Sequence, residues 1–310
     1  MRARKYLAVA SATLLVALFH GAVSPPGSAE ARTEAPTSAP SPSAPTTPDL
    51  TPYQGLGVWI DIYDAWAFRN PVAAVTTAKS HGVQTLFVET SNYSRPFAVF
   101  EPAAMARLIK AAHVRGMDVV AWYLPGFLRP AFDFHRSMAA INFHGKGQSF
   151  DSFGLDIESS AVDAEAVRSS RLIALSRRIS DHVPDTYPLS AIIPSPLGMQ
   201  LVKGYWEDFP YLGIAPYYDV WQPMTYYTYR VSGRRAVYDY TQQNTDILRT
   251  ETGNANLPIH QIGGIASQSS GLETAGFVDA LLDDSLMGGS IYDMFLSGPE
   301  DWKQLHRLVP

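Results

Sequence analysis

Asp156 and Glu158 stand two residues apart in FDSFGLDIESS, residues 150–160, a short run that is otherwise mostly apolar or small. In an extended chain alternate side chains share a face. Gly154, Asp156 and Glu158 therefore fall on one side, and Phe153, Leu155 and Ile157 on the other. Charge on a core strand is costly unless paired, so the pair has two readings. It is either salt-bridged to basic residues inside a fold or an acid–base pair at the mouth of a cleft. Two carboxylates roughly 6–7 Å apart on one strand face repel each other, so one tends to hold its proton near neutral pH. That is the property a general acid needs. Spacing alone does not choose between the readings. A second Asp-x-Glu, Asp163 and Glu165, lies where a helix begins, and acids there merely complement the helix dipole.

The elements that must position the first pair follow from hydrophobic period. GVWIDIY (57–63), VQTLFVET (83–90) and MDVVAWYL (117–124) read as strands, and the opening stretch is the fourth. PLSAIIP (188–194), DVWQPMTYY (219–227), PIHQIGG (258–264) and GGSIYDMF (288–295) complete eight. Helical patterns lie between them. One runs from Pro71 to a Gly82 stop, and in another Met105, Leu108, Ile109 and Ala112 form one stripe. In the helix after strand four, Leu172, Leu175, Ile179 and Val183 recur until Pro184. Segment 130–145 is less regular, and the connection through Trp206 and Tyr211 reads as loop. Eight βα units in about 255 residues predict an α/β fold of the (β/α)8 TIM-barrel type. An open doubly wound sheet would show a Gly-rich phosphate loop after strand one, and none is present.

In such a barrel the chemistry sits at the C-terminal strand ends. The candidates there are Asp61, Glu89, Trp122, Tyr123, Asp156, Glu158, Gln222, Met224, Tyr226, Tyr292 and Asp293. Acids and aromatics on one rim predict a sugar cleft. Aromatic faces stack on a pyranose, and carboxylates and amides take its hydroxyls.

FDSFGLDIE resembles the strand-four signature of family-18 glycoside hydrolases, the chitinase-like group, Asp-Gly-x-Asp-x-Asp-x-Glu. Asp151 falls on the first Asp, Asp156 on the third and Glu158 on the Glu. Ser152 replaces the Gly, and Gly154 stands where the second Asp belongs. QPMTYY on strand six resembles the family's Gln-x-Met-Thr/Ser-Tyr, through Gln222, Met224 and Tyr226. Gly288 and Gly289 are a looser echo, with Tyr292 near the place of the usual Trp. The strand-three Ser-x-Gly-Gly is missing, so the chain resembles a divergent member. The resemblance implies substrate-assisted retaining hydrolysis of a β-linked N-acetylhexosamine glycan, an exception to the two-carboxylate scheme. Glu158 would protonate the glycosidic oxygen, Asp156 orient the acetamido group and Tyr226 bind its oxygen, with Asp151 and Tyr226 tuning the pair. Gly154 then implies a shifted pH optimum, a replacement acid such as Asp61, or lost activity.

Three other readings stay open. A two-Glu retaining barrel needs a carboxylate at the end of strand seven, and QIGGIAS (261–267) has none. Family-25 muramidases also carry Asp-x-Glu on strand four, with Asp61 available as a strand-one acid. The third is a non-catalytic glycan- or wall-binding barrel. The histidines are dispersed and no metal-ligand spacing occurs, so no metal and no cofactor is expected, although acidic calcium sites stay open. No Gly-x-Ser-x-Gly elbow or phosphate loop is present. His81, His113 and His306 read as surface residues of helices.

Arg2, Arg4 and Lys5, the apolar run YLAVASATLLVALF and Ala29-Glu30-Ala31 have the order of a secretory signal, 1–31, shorter than a membrane span. Residues 32–52, rich in Pro, Ser, Thr and Ala, read as a tether, and 53–310 as a single (β/α)8 domain resembling glycoside hydrolases. The chain has no cysteine, so export would rely on the core alone. Residues 1–31 carry +2, from three basic residues and Glu30, so cleavage takes the formal charge from −5 to −7. The scattered basic residues exclude nucleic acid as main partner. The expected form is an exported monomer acting on a polysaccharide or oligosaccharide, with no membrane attachment after cleavage.

Overall fold

The computed structural model describes residues 47–309. The signal reading and most of the tether lie outside the described residues. Among the described residues no helix is long and apolar enough to cross a membrane.

Eight parallel strands close into a barrel in sequence order. They are β1 (Gly55–Ile60), β2 (Thr85–Asn92), β3 (Asp118–Leu124), β4 (Ser152–Asp156), β5 (Leu189–Pro194), β6 (Val220–Met224), β7 (His260–Ile265) and β8 (Gly288–Tyr292). Around them run α1 (Ala65–Arg69), α2 (Pro71–Ser80), α3 (Pro102–His113), α4 (Pro130–Ile141) and α5 (Glu165–Ser180). The circuit continues through α6 (Pro196–Leu201), α7 (Tyr211–Ile214), α8 (Arg234–Thr252), α9 (Gly271–Asp283) and α10 (Pro299–Leu305). The (β/α)8 expectation is met. Between β5 and β6 the long helix is replaced by short α6 and α7, as the loop-rich sequence implied. Glu165 opens α5 as an acid in its first turn.

Strand parity separates two cores. Phe153, Leu155 and Ile157 face the helices together with Val119, Ala121 and Trp221. Tyr53, Trp59, Phe87, Val120, Trp122, Ile192, Val220, Met224 and Ile262 fill the barrel interior. Leu50 packs against this inner cluster and Pro52 is buried, so the last residues of the sequence-read tether lie on the barrel.

A chain of buried hydrogen bonds runs through this inner cluster. Trp59 Nε1 donates to Ser290 Oγ at 2.8 Å. Burial holds His260 neutral, its pKa lowered to about 4, and its Nδ1 donates to the Tyr53 carbonyl at 2.9 Å. Nε2 is therefore the acceptor for Ser290 Oγ at 3.2 Å. The tautomer is set by the carbonyl, and the chain fixes the plane of Trp59 in the wall of the mouth. Trp59 also stacks on Phe87, centroids 4.6 Å apart.

Candidate active site

β4 ends at Asp156, and Glu158 follows two residues later on the same side, where the chain leaves the sheet. Asp156 is 6% exposed, and its Oδ1 has no hydrogen-bond partner among the described residues. An ionised carboxylate in that state is poorly stabilised. Its pKa is accordingly pushed well up, first by burial and then by the charges of Glu158 and Glu89. Glu158 is half-buried and is also raised, by burial. Asp156 is the deeper member and faces two other carboxylates, so burial and like charge both favour a proton held on the pair.

Two cavities flank Glu158. One, of about 240 Å³, is walled by Trp59, Trp122, Asp156, Met224, Tyr226 and Tyr292, among others. The other, of about 160 Å³, is lined by Ser195, Tyr205, Tyr240 and Arg230, among others, and shares Glu158, Met224, Tyr226 and Tyr229 with the first. Tyr226 follows β6 and its ring lies 6.3 Å from that of Tyr292 and 6.1 Å from that of Tyr229. Burial and the nearby Glu158 and Asp156 raise its phenol well above the ordinary value, so it stays a hydrogen-bond donor. Tyr205 hangs over the pair, its hydroxyl donating to the Glu158 carbonyl at 3.3 Å.

Glu89 on β2 lies beneath this pair. It accepts from Ile62 N at 3.1 Å and from Asn92 Nδ2 at 3.0 Å. Burial outweighs those bonds and holds its pKa near 7. The carboxylate acting on Asp156 besides Glu158 is thus Glu89, not Asp61. Asp61 accepts from the Tyr292 hydroxyl at 2.5 Å and from Tyr63 N at 2.6 Å, so it orients Tyr292 and is not among the residues lining these two cavities. Asp64, which the sequence reading passed over, accepts from Asp61 N at 2.9 Å and is raised to about 7 by burial and by Asp61.

Four sequence candidates have other places. Tyr123 points outward, fully buried, and donates to Asp133 Oδ1 at 2.7 Å; strand parity puts it opposite Trp122. Asp151 precedes β4 at the far end of the barrel, about 16 Å of strand from Asp156. It accepts from Val119 N at 2.7 Å and contacts His113 Nε2 at 3.0 Å, which also makes His113 more than a surface residue. Gln222 faces inward but is fully buried below the cavities, accepting from Ser190 Oγ at 2.8 Å. Asp293 caps the turn after β8, accepting from Phe295 N at 2.7 Å and Leu296 N at 3.2 Å. Tyr227 packs outward near Phe277, as parity requires.

Gly154 also has a local reason. A Cβ there would lie 2.8 Å from both Ile192 Cδ1 and Ser190 Oγ, so the space of the missing family Asp is filled from β5. Trp59, Tyr205 and Arg230 were missed. Trp59 shares parity with Asp61, a usable signal. Tyr205 and Arg230 lie in loops, where no period applies.

No family model and no curated protein matches this sequence. Solved structures do match its fold. An endo-beta-1,4-mannanase from Thermotoga petrophila superposes with a TM-score of 0.67, at 9% identity over 85% of this chain and 78% of the mannanase. The barrel is similar to those of glycoside hydrolases. The spore cortex-lytic enzyme SleL of Bacillus cereus gives 0.62, at 11% identity over 83% of this chain and 74% of SleL. A chitinase from Chromobacterium violaceum gives 0.58, at 10% identity over 83% of this chain and 99% of the chitinase. At these identities the likeness is one of fold, and function rests on the site.

Proposed function

We propose that the chain is an exported glycoside hydrolase that cleaves a β-linked glycan containing N-acetylhexosamine, by a retaining mechanism assisted by the substrate's acetamido group. The observation that carries this reading is the orphaned, buried Oδ1 of Asp156 beside Glu158, at a cavity walled by Trp59, Trp122 and Tyr226. An acetamido N–H is the kind of neutral donor that such an oxygen lacks. The fold shared with mannanases, SleL and chitinases is consistent with carbohydrate cleavage in general.

The pair works as one titrating unit. When an acetamido N–H reaches Asp156, the ionised form of that carboxylate is favoured, and the shared proton moves toward Glu158. Glu158 then protonates the glycosidic oxygen as the C1–O bond breaks. The acetamido oxygen closes on C1 to give an oxazolinium ring. Its positive charge is balanced by Asp156, and its oxygen is held by the Tyr226 hydroxyl. Water, deprotonated by the Glu158 carboxylate, reopens the ring with net retention.

The test is release of reducing ends from N-acetylglucosamine oligomers and from peptidoglycan by wild type beside Glu158→Gln. The expected result is turnover by wild type and a loss of at least about 10²-fold in the variant. Equal rates in the two proteins would refute the assignment.

A further inference from the structure

The cavity holding Asp156 adjoins a second, and Glu158 lines both. On the proposed mechanism the ring that reacts at C1 lies beside Asp156, so the departing ring lies in the neighbouring cavity, where Glu158 can protonate the bridging oxygen. That second cavity carries Arg230, the one cation lining either cavity among the described residues. The Arg230 side chain is exposed and has no hydrogen bond, ion pair or ring contact among the described residues. Its backbone is nevertheless fixed, its N–H donating to the Tyr227 carbonyl at 2.8 Å. The carboxylates lining the two cavities are those of Asp156 and Glu158, and Glu89 acts on Asp156. A guanidinium left unpaired at the edge of an acidic cleft is unusual, since those carboxylates are the natural partners of any nearby cation.

We propose that Arg230 reads a carboxylate on the departing sugar, and that the substrate alternates N-acetylhexosamine with an acidic hexose. Deepening the proposed hydrolysis, this inference rests on it. The acid could be a lactyl ether or a uronate, both carboxylates borne on the ring next to the scissile bond. Ser195 and Tyr240 lie in the same cavity, their oxygens 2.7 Å apart, and would face the hydroxyls of that ring. Glycans lacking the acid would meet the same acetamido site and lack this contact.

Binding separates this inference from catalysis. The full chain carrying Glu158→Gln is titrated by calorimetry with matched oligosaccharides in which N-acetylglucosamine alternates with its lactyl ether, with glucuronate, or with either sugar after reduction of its carboxylate to an alcohol. The expected result is binding about tenfold tighter for one of the acids than for its reduced form. That ratio falls toward one at high salt and in Arg230→Met, and partly returns in Arg230→Lys. The preferred acid names the source of the carboxylate. Equal binding of acid and reduced forms, or a preference that survives Arg230→Met, overturns the role of Arg230 and leaves the hydrolase reading standing. Failure of every N-acetylated oligosaccharide to bind overturns both.

Discussion

Replacing Glu89 with Gln should make the protein more stable above neutral pH while harming its site. Glu89 is 2% exposed and its pKa rises from an ordinary 4.5 to about 7. At about 1.4 kcal/mol for each pKa unit, its ionised form is held up by about 3 kcal/mol. From about pH 4.5 to 7 the folded state keeps a proton that the unfolded chain has released. Stability therefore falls as pH rises through that window, and the full cost is present above it. Gln carries no such cost. It does lose one acceptor, because Glu89 serves both Ile62 N and Asn92 Nδ2 with separate oxygens, a loss of about 1 kcal/mol. The variant should then be about 2 kcal/mol more stable than wild type near pH 8, and slightly less stable near pH 4. Urea unfolding of both proteins at the two pH values reads the difference directly. Activity should change in step. Without the Glu89 charge the Asp156–Glu158 pair gives up its proton more readily, so the alkaline limb of the rate profile moves to lower pH. A stability difference that stays constant between the two pH values would refute the reasoning.

Other positions give outcomes of different kinds. Tyr123→Phe should cost about 1–2 kcal/mol of stability, since Asp133 loses a buried donor, and leave turnover nearly unchanged because the ring faces away from the cleft. Gly154→Asp should destabilise by at least about 1–3 kcal/mol through the contacts with Ile192 and Ser190, and should not restore a more chitinase-like rate. Ser290→Ala should cost about 2–3 kcal/mol, because Trp59 Nε1 and His260 Nε2 lose the same partner; thermal melting checks it, with a raised KM expected as Trp59 loosens.

What the sequence disclosed depended on whether a residue's role was periodic. The outward face of β4 and the inward alignment of Gln222, Met224 and Tyr226 follow from a period of two. The closed barrel follows from eight such runs separated by helical ones. Strand ends were read too long at β1, β6 and β8, because Asp61, Tyr226 and Asp293 belong to the turns that stop the sheet. α4 looked irregular because Asp133, Arg136 and Ser137 sit on its buried side, where an apolar stripe would normally announce a helix. Tyr123 and Asp151 show the limit of motif reading. An aromatic at a strand end can face either way, and a residue aligned with a family signature can lie at the wrong end of the strand. The influence of Glu89 on Asp156 depends on two strands closing around a common axis, which no local pattern records.

The claim on which the account turns is that the acetamido group beside Asp156 attacks C1 while Glu158 supplies the proton. Turnover of aryl glycosides of N-acetylglucosamine oligomers, with zero to three fluorines on the reacting acetamido methyl, tests it most directly. The account predicts a rate that falls steeply with each fluorine, as the attacking oxygen loses electron density. Equal rates across the series, or no turnover of the unfluorinated compound, would contradict it.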